Sequence, residues 1–121
     1  MTASNNSPLH VYGIKNCSTV KKALDWLTQH DKPFVFHDFK KEQATVTQLA
    51  AWEKHVSYET LLNKKGTTWR KLEPEVQQQI VDAPSANEVL AAHNSMIKRP
   101  VIEHASGLIV GFDEKTYETT L

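Results

Sequence analysis

The chain has 121 residues, which at roughly 150 residues per domain allows one hydrophobic core but not two independent ones. Hydrophobic residues make up 40% and charged residues 23%, a globular balance that excludes wholesale disorder. Fourteen Lys and Arg offset fourteen Asp and Glu, so no global field draws the chain onto nucleic acid or an anionic membrane, and any anion site must be local.

Met1 to Pro8 is polar and rich in Thr, Ser and Asn, and reads as a disordered leader. It has no basic residue ahead of an apolar run, so it does not read as a signal peptide. Leu9 to Ile14 alternates as a strand with Leu9, Val11 and Gly13 on one face. Val20, Ala23, Leu24 and Leu27 then form the stripe of an amphipathic helix, with Ser18 or Thr19 as its cap. Pro33 disfavours helical geometry at Lys32, so the helix should end before Asp31-Lys32-Pro33. Phe34 to Phe39 is aromatic and β-branched, a second strand. Strand, helix and strand in this order predict a βαβ unit with parallel strands.

A helical block follows. Thr45-x-x-Gln48 resembles a capping box ahead of Leu49, Trp52 and Val56, and Pro74 suits a first helical turn ahead of Val76 and Ile80. Ser85-x-x-Glu88 reads as a second capping box leading into Val89 and Leu90. Val101-Ile102 and Leu108 to Val110 are short strands joined by Ala105-Ser106-Gly107, a hairpin signal. Asp113 can cap a last helix carrying Tyr117 and Leu121. The expected division is a leader over 1–8 and a single α/β domain over 9–121. Apolar runs such as Leu108-Ile109-Val110 fall far short of the ~20 residues of a membrane helix.

The only cysteine, Cys17, excludes an internal disulfide, a multi-thiolate zinc site and an intramolecular redox pair. A lone thiol survives in a reducing compartment, which predicts a cytoplasmic protein. Cys17 follows the first strand and precedes the first helix. Unpaired N–H groups and the dipole at a helix start favour a thiolate there, the form that attacks disulfides. Lys15, Lys21 and Lys22 add positive charge nearby. A small buried cysteine with no reaction is the alternative. Val20 stands where a Cys-x-x-Cys motif would hold its second sulfur, so a reacting Cys17 must be released by an outside thiol, either glutathione or a protein thiol.

The stretch Val11-Tyr12-Gly13-Ile14-Lys15-Asn16-Cys17 resembles the active-site strand and loop of the arsenate reductase (ArsC)-like family, within the thioredoxin-like superfamily. Leu61 to Leu72 and Ile97-Lys98-Arg99-Pro100 resemble later signatures of that family, in its YffB branch of small glutathione-dependent thiol reductases. The resemblance implies a thioredoxin-like α/β fold: βαβ, a helical insertion, then ββα, around a mixed four-stranded sheet. It implies a catalytic Cys17, a cis Pro100, and Arg99 aimed at the cysteine, where a guanidinium would stabilise a thiolate or grip an oxyanion. Substrate or glutathione contacts are expected at Arg99, Pro100, Lys15, Asn16 and Arg70. Arg70 is equally readable as a solvated helix charge. Glutathione is the expected co-substrate, with no metal or organic cofactor, and the expected state is a monomer with neither nucleic-acid nor membrane partners.

Three departures weaken an arsenate assignment. Asn63 and a position near Gly111 lack the arginines of the true arsenate reductases, and Gly13 replaces the histidine of their cysteine loop. The same family includes Spx regulators, which contact RNA polymerase and often carry the Cys-x-x-Cys pair that Val20 excludes. Trp26, Trp52 and Trp69 read as packing residues. His10, His30, His37, His55, His93 and His104 show no metal-ligand spacing and read as structural or solvated.

Overall fold

A computed structural model describes residues 8–121, so positions 1–7 of the expected leader lie outside the described residues. The chain forms two compact units, one made of residues up to Glu42 together with Arg99–Leu121, the other of Gln43–Lys98.

The first unit is built on a mixed four-stranded sheet in the order β2-β1-β3-β4. Strand β1 (Leu9–Gly13) runs parallel to β2 (Phe34–Asp38), as a helical crossover requires, and antiparallel to β3 (Val101–His104). Strand β4 (Gly107–Val110) returns as a hairpin partner of β3. The connecting loop is therefore Ala105-Ser106, one residue shorter than the sequence suggested, because Gly107 already pairs with His104.

Helix α1 (Ser18–Gln29) connects β1 to β2. Its buried face is Val20, Ala23, Trp26 and Leu27, rotated from the expected stripe so that Trp26 replaces Leu24 in the core. An indole removes more apolar area from water than a leucine, and that difference favours this rotation. Val11, Ala23, Trp26, Leu27, Ile102, Ile109 and Tyr117 form the core cluster. Tyr117 lies on α7 (Glu114–Thr120) and meets Trp26 edge-on, with centroids 5.3 Å apart. Asp113 precedes α7 as expected, although its carboxylate accepts from the Thr116 hydroxyl at 2.7 Å rather than from a helix N–H.

The second unit holds α2 (Val46–Trp52), α3 (Tyr58–Leu61), α4 (Thr67–Lys71), α5 (Pro74–Gln79) and α6 (Ala83–Ala92). Thr45 caps α2 by accepting from the Gln48 N–H, and Pro74 occupies the first turn of α5, both as expected. The later capping box is displaced. Asp82, not Ser85, is the N-cap, and Ser85 is its reciprocal partner, so α6 begins at Ala83. The Asp82 carboxylate accepts from the Ser85 N–H at 3.0 Å, which Pro84 permits because a first-turn proline has no N–H to lose. Val56 lies beyond the end of α2. Trp52, Leu49, Leu61, Leu90, Met96 and Ile97 are fully buried among these helices.

Candidate thiol site

Strand β1 ends at Gly13, and a short turn through Lys15 and Asn16 delivers Cys17 to the N-cap position of α1. The backbone at Cys17 is extended, and its carbonyl accepts from the Lys21 N–H at 2.9 Å, starting the helix. The cap is therefore Cys17 itself rather than Ser18 or Thr19, and the half-buried thiol sits at the positive end of the helix dipole.

The close seating of α1 on β1 depends on Gly13. A Cβ at that position would lie 2.8 Å from Val20 Cγ2, inside van der Waals contact. Gly13 and Val20 are thus a matched pair, the missing side chain of one accommodating the methyl groups of the other. Val20 is 1% exposed directly beneath the cysteine turn.

On the opposite side, the Arg99–Pro100 bond is cis, as the resemblance implied, and Pro100 leads into β3. The Pro100 carbonyl accepts from the Gly111 N–H at 2.7 Å, which fixes the turn against the end of β4. Burial pushes the Cys17 thiol up, but hydrogen bonding from the Val20 N–H, the Arg99 side chain and the Thr19 N–H, with the charge of Arg99, brings it below its ordinary value.

The expected site residues divide between the two units. Cys17, Lys15, Asn16, Arg99 and Pro100 belong to the first, whereas Arg70 lies in the last turn of α4 in the second, where its charge complements that helix end. Asn63 has a local role. Its side chain accepts from the Lys65 N–H at 3.1 Å, and its own N–H donates to the Met96 carbonyl at 2.8 Å. Gly111 has φ of 90°, a conformation that strains an arginine side chain at that position. His10 and His37 share a ring-nitrogen hydrogen bond of 2.8 Å, and His37 meets Glu42 at 3.4 Å, a structural cluster on the sheet. Among the described residues no group of three His, Cys, Asp or Glu is placed to hold a metal ion.

One feature beside the cysteine turn was missed in the sequence. Lys15, Val20, Lys21, Leu24, Asp25 and Phe36 line a hollow of about 250 Å³ between α1 and β2. The rotation of α1 that buries Trp26 leaves Leu24 half-exposed to line it.

The ArsC family pattern matches residues 12–120. The chain belongs to the ArsC family. A solved YFFB protein superposes with a TM-score of 0.88 and 40% identity, over 93% of this chain and 98% of that one. An arsenate reductase (ArsC) related protein from Brucella melitensis gives a TM-score of 0.74 with 46% identity, over 94% of both chains. The global transcriptional regulator Spx 1 of Lactococcus lactis is 25% identical over 115 residues, covering 88% of this chain and 83% of the regulator. The fold is thus the thioredoxin-like fold of ArsC proteins, and the chain is related both to arsenate reductases and to Spx.

Proposed function

We propose that this ArsC-family protein is a thiol–disulfide oxidoreductase with Cys17 as its single nucleophile and glutathione as its second thiol. The observation that carries the reading is the set of donors around the sulfur, Arg99 and the Val20 and Thr19 N–H groups, which favours the thiolate against burial. The Cys17 thiolate attacks one sulfur of a disulfide, forms a mixed disulfide and expels the other sulfur as a thiolate. A glutathione thiolate then attacks the substrate sulfur of that mixed disulfide and regenerates Cys17. A second glutathione releases the substrate thiol and leaves oxidised glutathione, so two glutathione molecules supply the two electrons. Lys15, Asn16 and Pro100 would contact the substrate, and Arg99 would hold the thiolate or a glutathione carboxylate. A substrate contact at Arg70 stands beside its equal reading as a solvated helix charge. The setting is a reducing cytoplasm, and the working state a monomer.

Cys17→Ser is expected to abolish turnover of a small mixed disulfide with glutathione. A Cys17 that alkylates with the pH dependence of a free thiol would overturn the mechanism. A second reading, regulation through contact with RNA polymerase, rests on the relation to Spx 1. Recovery of RNA polymerase on the immobilised protein, with no turnover of disulfides, would favour it. Reduction of arsenate is the weakest reading, because Asn63 serves a turn and Gly111 a positive-φ backbone in place of anion-binding arginines.

A further inference from the structure

The lining of the hollow beside the cysteine turn includes neither Arg99 nor Pro100, and it rests on the edge of the core through Val20, Leu24 and Phe36. Its floor is Val20, Leu24 and Phe36, and its rim carries Lys15, Lys21 and Asp25. Lys21 lies one helical turn below Cys17, since its N–H donates to the Cys17 carbonyl at 2.9 Å, so the hollow opens within a turn of the sulfur. At about 250 Å³ it falls below the roughly 300–1,000 Å³ that encloses a whole small molecule, and it fits one apolar side chain. Two lysines face one aspartate on the rim, and Asp25, four residues beyond Lys21, offsets one of them. The excess positive charge lies at the Lys15 end, nearest the cysteine turn. Strand β2 is a sheet edge; at its two ends the Pro33 carbonyl accepts from the Leu9 N–H and the Phe39 N–H donates to the Gly13 carbonyl, so by the alternation of a parallel ladder the main-chain groups of Phe34 and Phe36 face outward beside the hollow.

We propose that this hollow seats an apolar side chain of an extended peptide, with a neighbouring carboxylate at Lys15, and that the oxidised substrate of Cys17 is a protein disulfide presenting an acidic and an apolar residue beside its reactive cysteine. The inference rests on the oxidoreductase reading and narrows its substrate class. Cys17 takes one sulfur of that disulfide, and glutathione completes the reduction as above.

Two cysteine peptides, each carried as a mixed disulfide with glutathione, test it: one with Asp and Leu beside the cysteine, one with Lys and Ser. The wild type is expected to reduce the first at least about tenfold faster, and Leu24→Gln to bring the ratio close to one. Backbone chemical shifts of the full-length Cys17→Ser protein should move at Leu24 and Phe36 on adding the first peptide. Equal rates with no such shifts would overturn the proposal, as would the same shifts with glutathione alone or on concentrating the peptide-free protein. Peptide-induced shifts without any turnover by the wild type would sustain the hollow as a peptide site and remove the oxidoreductase reading instead.

Discussion

Cys17 occupies a position where opposing effects meet on one atom. Burial disfavours its charge, while the Val20 N–H, the Arg99 side chain and the Thr19 N–H favour it, and the donors win. Replacing Arg99 with Ala removes both a hydrogen bond and a charge, so the midpoint of Cys17 alkylation against pH should move upward toward that of a free thiol. An unchanged midpoint would return Arg99 to a purely structural role. Gly13 offers a separate test, because its Cβ would overlap Val20. Gly13→Ala should lower stability by about 1–3 kcal/mol, the usual cost of overpacking. Adding Val20→Ala should recover much of the loss in a denaturant melt, which a backbone effect of Ala alone would not allow.

At the scale of elements, the sequence spelled out strands and helices wherever periodicity and chain punctuation agreed. The βαβ unit, the final hairpin and the helix behind Asp113 were readable for that reason. Helix α1 was placed correctly but rotated, since periodicity ranks Leu24 and Trp26 by position and cannot weigh which side chain gains more from burial. That rotation is also why the hollow was invisible in the sequence. The start of α6 was misjudged because Ser85-x-x-Glu88 satisfies a capping pattern, while Asp82 with Ser85 satisfies it one turn earlier, where Pro84 is tolerated. The position of Cys17 at the start of α1 was legible from its place between strand and helix. The cis bond at Pro100 was legible only through family resemblance, as nothing local in Arg99-Pro100-Val101 demands it. Helix α7 is held partly by one bond, Tyr117 donating to the Gly111 carbonyl at 2.7 Å in a fully buried setting. Tyr117→Phe should therefore cost about 1–3 kcal/mol in unfolding free energy, since the carbonyl would be left without its donor.

For the molecule as a whole, two ionisable groups give stability opposite slopes with pH. Burial pushes the Glu53 carboxyl up, against the Asn87 side chain that donates to it at 2.8 Å. Its stabilising effect is present below the ordinary carboxyl value and is lost as pH rises through the raised folded value. Glu53→Gln should flatten that decline in a series of thermal melts at mildly acidic pH. Cys17 acts in the other direction: its effect is present above the ordinary thiol value and is lost as pH falls through the lowered folded one. The melts of Cys17→Ser should lack that rise on the alkaline side. The buried Val20 beneath the cysteine turn also fixes how such a molecule would read its surroundings. A dithiol exchanging with glutathione settles at a ratio that depends on the square of the reduced glutathione concentration. A single sulfur captured as a mixed disulfide responds to the first power, so its oxidised fraction follows the ratio of the two glutathione forms and is indifferent to the size of the pool.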